Sequence, residues 1–269
     1  MTDRKLSPSS INTYMQCPKK YYYNYIEQLP TKPSIHLLMG SIVHKVLEEF
    51  FNRKHNMTGS YRENLKQAMT ILLENYWDIS ELKLPEEEQA LYRRQATRMV
   101  ENFIGRFINQ IDMLIESKKA VDPNHAFNLI KPKLKEKYYS DDHLNIHGYV
   151  DSIEKDFDGN ITLIDYKTSQ KYKNVLSPDY KRQLAIYALL YKKEEGHLPQ
   201  LVGIHYLRYG EVFFVEVTPE LVDWAEGEVK FVAEKVKNKE ITDYDKKPSK
   251  LCRWCDFYDV CWKGEVPPY

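Results

Sequence analysis

The residues best suited to chemistry lie in the segment HGYVDSIEKDFDGNITLIDYKTS, which carries Asp151 in one run and Asp165, Tyr166 and Lys167 at the end of the next. Two convergent carboxylates form an oxygen-rich site suited to Mg²⁺ or Mn²⁺. An amine beside them can orient, or help deprotonate, a water that attacks a phosphodiester. Strand period two puts Asp165 and Lys167 on one face, and a charged pair after the apolar run 161–164 is costly to bury unless something binds it. Register decides whether Asp151 joins them. A two-residue turn at Asp158-Gly159 would set Asp151 opposite Tyr166, on the wrong face. A three- or five-residue loop sets it opposite Lys167, with Asp165 as its diagonal neighbour. The site therefore requires the odd loop, with Gly159 or Asn160 left-handed. Taken alone, the three residues read equally well as a hairpin carrying surface ion pairs.

Three further residues could serve such a site. His44 lies in GSIVHKVLE, an otherwise apolar helical stretch where an imidazole is more often a packed boundary residue than a ligand. Gln183 and Tyr187 stand four apart and so share a helix face, as they would on any amphipathic helix. A separate set is the cysteines. Cys252, Cys255 and Cys261 follow a C-x2-C-x5-C spacing, and Cys17 lies at the other end of the chain. Four thiolates could close a tetrahedral set that clamps the two ends together, and such a set takes zinc as readily as an iron-sulfur cube.

The elements that must position these groups show in the patterning. Ser7-Pro8 caps a first helix, and Pro18, just after Cys17, restarts it through KKYYYNYI. Helical periodicity covers residues 37–54, 61–77 and 86–117. β-rich segments follow at 128–139, 145–155 and 161–168, then a helix at 178–193, strands at 201–208 and 212–217, and a helix at 219–239. The expectation is an α/β core in one domain over residues 1–269, with 56–122 a helical insertion and residues 17 and 252–261 a cluster-binding segment.

Composition bounds the rest. The 269 residues include 39 Lys and Arg against 39 Asp and Glu, a net charge of +0, so any polyanion must meet a local patch. With 42% hydrophobic and 29% charged residues the chain is neither disordered nor fibrous. No apolar run approaches the roughly 18 residues of a membrane span, and the polar start MTDRKLSPSS does not read as a signal peptide, so the expected location is the cytoplasm.

Taken in order, Ser7-Pro8-Ser9 leading to Cys17-Pro18, the GSIVHKVLE helix, the strand G-Y-V-D, D-Y-K on the next strand and Q-L-A-I-Y on the following helix resemble the RecB-like branch of the PD-(D/E)XK nuclease superfamily. The resemblance runs from Leu6 to Cys261. It implies a restriction-endonuclease-like core, a mixed sheet flanked by helices, and hydrolysis of phosphodiesters through a metal-activated water. It also implies that His44, Asp151, Asp165 and the backbone carbonyl of Tyr166 hold Mg²⁺ or Mn²⁺, that Lys167 serves the attacking water, and that Gln183 and Tyr187 complete the site. Val150, rather than the proline of the superfamily's name, precedes Asp151. The placing of one cysteine before the core and three after it matches the iron-sulfur subset of this branch, which includes AddB nucleases, exonuclease five and CRISPR-associated RecB-like nucleases. That implies a [4Fe-4S] cluster on Cys17, Cys252, Cys255 and Cys261, with zinc as the other occupant.

The expected partner is DNA, single-stranded or with a free end, cut by an exonuclease. Lys131, Lys133, Lys135 and Lys137, alternating along a strand, and Lys171, Lys173, Lys181 and Arg182 near the site could contact phosphates or be merely solvated. Tyr21, Tyr22, Tyr23 and Tyr25 offer rings for bases, though most should pack on the core. The helices of 56–122 could form an arch through which a strand threads. Two other readings remain: a noncatalytic nucleic-acid-binding or scaffold subunit, and a nuclease subunit of a DNA-repair or CRISPR adaptation complex.

Overall fold

The computed structural model describes residues 4–169 and 176–268. The first helix, α1 (Pro8–Gln16), starts as its sequence dictates: the Ser10 amide donates to the Ser7 hydroxyl at 3.2 Å and the Ser7 amide to the Ser10 hydroxyl at 2.8 Å. The backbone is extended at Cys17. Pro18 then starts α2 (Pro18–Tyr21), which runs into one wide helical turn at Tyr22–Ile26. In α3 (Ile35–Asn52) the buried stripe Met39, Ile42, Val43, Val46, Leu47 and Phe50 has the period of an amphipathic helix. α4 (Tyr61–Tyr76), α5 (Glu86–Glu116) and α6 (Pro123–Ile130) follow.

Here one expectation fails. Residues 128–130 are helical, and β1 begins only at Leu134 (Leu134–Asp141). The Asp122 carboxylate accepts the His125 amide at 2.7 Å, Pro123 takes the first helical position, and burial of Ala126 and Phe127 holds α6 down. The remaining elements are β2 (Ile146–Lys155), β3 (Ile161–Lys167), α7 (Pro178–Glu195), β4 (Leu201–Tyr206), β5 (Glu211–Glu216), α8 (Pro219–Lys235) and α9 (Tyr258–Trp262). Helix α8 stops short of residue 239, where the Tyr244 hydroxyl instead donates to the Asn238 carbonyl at 2.7 Å.

The sheet runs β1-β2-β3-β4-β5 in order, antiparallel except for the parallel pair β3–β4, which α7 joins across one face. Each face has its own core. On one, Val150, Ile153, Leu163, Val202 and Ile204 pack with buried residues of α1, α7 and α8. On the other, Ile164, Tyr166 and Leu207 pack with α3, α4, α5 and α6. The helices of 56–122 are thus a packed layer: Leu65, Met69, Met99 and Phe103 share a core with α3 and the sheet, so they do not form a free arch. Among the described residues, no helix is long and apolar enough to cross a membrane.

Candidate active site

The β2–β3 connection is the expected odd loop. Lys155 pairs with Ile161, five residues intervene, and Gly159 has φ +89°. The Asp156 carboxylate sets where it closes, accepting the amides of Asp158 at 2.9 Å and Asn160 at 2.8 Å. This shifts the expected register. Ser152 lies opposite Ile164, which puts Asp151 across from Asp165 and not Lys167. The face is still the right one, because a shift of two residues conserves parity.

A second irregularity aims Asp151. The β1–β2 ladder pairs Lys135 with Ser152 and then Lys137 with Val150, passing over Glu136 and Asp151. Glu136 takes a left-handed conformation there, φ +48°. Val150 and Ile153 are three apart yet both enter the core beneath α7, so side-chain parity reverses across the break. Freed from the ladder, Asp151 and Glu136 meet His44 on α3. His44 Nδ1 lies 3.4 Å from Asp151 Oδ1 and 4.0 Å from Glu136 Oε1, and the donor atoms of the three residues all fall within 4.8 Å of one another. The Tyr166 amide donates to Asp151 Oδ2 at 2.6 Å and locks that side chain.

Asp165 stands beside this group, 3% exposed. Its Oδ1 accepts from Gln183 Nε2 at 3.1 Å, and the same nitrogen donates to the Tyr187 hydroxyl at 2.9 Å. Its Oδ2 lies 2.7 Å from Lys167 Nζ, a buried ion pair. Burial pushes the Asp165 carboxyl up to about 6, against the pull of Lys167. Burial would lower the His44 imidazole, but Asp151 and Glu136 outweigh it and raise it to about 10. Lys167 is likewise disfavoured by burial and yet raised by Asp165, so it is an ammonium at neutral pH. Burial drives Tyr187 well above the ordinary phenol value, leaving its hydroxyl neutral.

The arrangement fits a divalent cation. One imidazole and two carboxylates converge beside the buried Asp165–Lys167 pair, a nitrogen and oxygen donor set of the kind that holds a hard divalent ion. Among the described residues this is the one such group of His, Cys, Asp and Glu whose donor atoms all lie within 4.8 Å. Sequence reasoning brings together His44, Asp151, Asp165, Lys167, Gln183 and Tyr187, and they are together; Tyr166 is placed by its amide. It passes over Glu136, because an acid within a stripe of alternating lysines reads as solvated. The available signal was its place directly opposite Asp151 once the strands are paired.

The other expected contacts scatter. Lys131 and Lys133 precede β1, Lys135 donates to Asn52 on α3 at 2.5 Å, and Lys137 pairs with Glu194 on α7 at 2.8 Å, so they form no stripe. Lys181 lies over the Trp224 ring, and Arg182, 8% exposed, is taken up by Glu228, Asp179 and Asn12. Lys171 and Lys173 lie outside the described residues. Tyr21 and Tyr23 are buried, while Tyr22 packs against Tyr244 and Tyr25 against Tyr21, so none is a free platform for a base. Cys17, Cys252, Cys255 and Cys261 do line one hollow, with Tyr23 and Trp262 beside them. Burial raises the Cys255 and Cys261 thiols.

This mixed sheet, with acids and a lysine on its central strands and a histidine from α3, defines a metal-dependent hydrolase class. A model of the PD-(D/E)XK nuclease superfamily matches residues 5–262, and the chain belongs to that superfamily. It is 27% identical over 219 residues to an ATP-dependent helicase/deoxyribonuclease subunit of Streptococcus agalactiae, from serotypes Ia and V alike. The match covers 77% of this chain but 18% of those proteins, so the chain spans less than a fifth of their length. A crystal structure of a Eubacterium rectale protein, provisionally assigned as an exonuclease, superposes with a TM-score of 0.50 at 13% identity, over 99% of this chain and 90% of that one. At that identity the likeness is one of fold.

Proposed function

We propose that the chain is a divalent-metal-dependent deoxyribonuclease that degrades single-stranded DNA from an end. The convergence of His44, Glu136 and Asp151 beside the Asp165–Lys167 pair carries this reading. In it, His44, Asp151, Asp165 and the Tyr166 carbonyl hold Mg²⁺ or Mn²⁺, and Glu136 joins them. Such an ion supplies Lewis-acid polarisation of a phosphate and a lowered pKa for water. The rest is the work of the chain. Lys167, held as an ammonium, places positive charge against the scissile phosphate and hydrogen-bonds the attacking water. Gln183 fixes the Asp165 rotamer and Tyr187 fixes Gln183. Superfamily membership supports phosphodiester hydrolysis, and the name of the sequence relative, a deoxyribonuclease subunit, supports DNA. The subunit name equally supports action with a helicase partner.

For the cysteine hollow we propose a [4Fe-4S] cluster that ties residue 17 to residues 252–261. Four thiolates suit tetrahedral zinc as well, and the order of one cysteine before the core and three after it is what supports the iron-sulfur cube. Iron and sulfide analysis of anaerobically purified protein checks this, and stoichiometric zinc without sulfide overturns it.

The nuclease reading is tested with end-labelled single- and double-stranded DNA in Mn²⁺ or Mg²⁺. Asp165→Ala and Lys167→Ala should each lose at least about 10²-fold in cleavage rate while still binding DNA. Full activity in Asp165→Ala places the chemistry elsewhere. Efficient cutting of closed single-stranded circles refutes the dependence on an end, and a wild type that binds but never cuts leaves the noncatalytic reading.

A further inference from the structure

Beside the catalytic lysine lies a second hollow of about 500 Å³ that the chemistry above does not use. Thr168 and Ser169, the two residues after Lys167, form one wall. His36 and Leu37 from the first turn of α3 form another, Tyr92 and Gln95 from α5 a third, and Arg208, just past β4, the fourth. It sits at the carboxyl ends of the parallel pair β3–β4, where open α/β sheets place their ligands. Its closeness to the site is fixed at Gly40, one turn before His44, where an added Cβ would meet Thr168 Oγ1 at 3.1 Å. Along α3, eight residues at 1.5 Å each put His36 about 12 Å from His44, a nucleotide or two away.

Three features of the hollow suit one kind of occupant. The rings of Tyr92 and His36 meet edge to face at 5.5 Å, and Leu37, 72% exposed, leaves an apolar side chain at the mouth. Arg208 donates to Gln95 Oε1 at 3.0 Å and leans on the Thr168 carbonyl at 3.5 Å, which holds the guanidinium in place yet uses only part of its five donors. Among the described residues no side chain caps α3 at Ser34, so the positive end of an 18-residue helix opens beside it. Aromatic faces, a tethered guanidinium and an uncapped helix start are the elements of a seat for one splayed-out nucleotide; a stacked duplex would not present its bases to it.

We propose that this hollow binds an unpaired nucleotide flanking the scissile phosphate, with its base against Tyr92 and His36 and its phosphate between Arg208 and the first turn of α3. The proposal rests on the nuclease reading and adds the residues that seat an unpaired nucleotide beside the cut. A base lost from this seat should weaken binding by the worth of one stacking contact, about 5- to 150-fold.

The test is a set of end-labelled single-stranded oligonucleotides carrying one abasic residue moved along the strand, cut in Mn²⁺. Wild type should lose about 5- to 150-fold in kcat/KM when the gap falls at one fixed offset from the cut, and no more than a few-fold elsewhere. Tyr92→Ala should raise KM on intact strands, keep kcat, and lose the sensitivity at that offset, while Tyr92→Phe should restore it. Leu37→Glu, at an exposed position that folding does not need, should also raise KM. Cutting with a flat abasic profile, or an unchanged profile in Tyr92→Ala, refutes the seat and leaves the nuclease reading intact. No cutting of any oligonucleotide by wild type removes both.

Discussion

Binding of a cation at His44 should expel a proton, and the amount is set by the geometry. Without metal the imidazole lies between two carboxylates, 3.4 Å from Asp151 and 4.0 Å from Glu136, and is raised to about 10. A ligand nitrogen must be deprotonated. At pH 8 the gap is about two pH units, or about 2.7 kcal/mol, an apparent affinity about 100-fold below that of the neutral site. Calorimetric titration of Mn²⁺ into the protein, in two buffers of different ionisation enthalpy, should show one proton released per ion. The affinity should rise about tenfold per pH unit from pH 7 towards 9. Asp165, raised only to about 6, adds nothing at pH 8. His44→Gln should abolish the release. Stability of the metal-free fold runs the other way. A raised imidazole pKa contributes fully below about 6.5 and is lost as pH climbs through about 10, so the apoprotein weakens over the range in which the ion binds better. Mn²⁺ binding without proton release, or at an affinity indifferent to pH, refutes the placement of His44 among the ligands.

Two further perturbations test the frame that carries the site. Arg182→Ala leaves Glu228 facing a buried gap where a 2.7 Å ion pair stood, and should destabilise by about 3 to 5 kcal/mol in urea titrations, while Lys181→Ala, an exposed neighbour, should change little. Gly203→Ala places a Cβ 2.9 Å from the Phe214 ring and 3.1 Å from Ile164 Cδ1 and the Phe213 carbonyl, and should destabilise by about 1 to 3 kcal/mol by thermal melting.

How far the sequence foretells the structure depends on the range of the interaction that decides each element. Helices with their own caps, α1, α7 and α8, are legible because Ser7, Ser177 and Thr218 act within three residues, and α3 is legible from its apolar stripe alone. The α6 error has the same scale: Asp122-Pro123 is a start signal, outvoted by the β-rich look of the residues after it. The loop at Gly159 is legible for parity but not for register, because the Asp156 carboxylate, and not the turn type alone, selects where the strands close. Glu136 is the hardest. Its role depends on a break in a ladder between strands, and only pairing with β2 distinguishes it from the lysines around it. The charge patch fails for a related reason, since whether a lysine is free depends on partners such as Asn52 and Glu194 that lie 57 or more residues away.

The break at Glu136 also separates stability from function in a way that two substitutions can resolve. A glutamate at φ +48° is held in a region that costs about 1 to 3 kcal/mol for a residue with a Cβ. Glycine relieves that cost but gives back about 0.5 to 1 kcal/mol in chain entropy. Glu136→Gln and Glu136→Gly remove the same negative charge from beside His44, so the electrostatic change cancels between them and only the backbone differs. The glycine variant should therefore be the more stable of the two by about 1 kcal/mol in metal-free urea denaturation, while both should bind Mn²⁺ more weakly than wild type and to the same degree. A glycine variant less stable than the glutamine one would mean that residue 136 is not strained, and the ladder would have no reason to open there. Wild-type Mn²⁺ affinity in both would mean that the carboxylate faces His44 without sharing its ion, returning the ligand set to His44, Asp151 and Asp165.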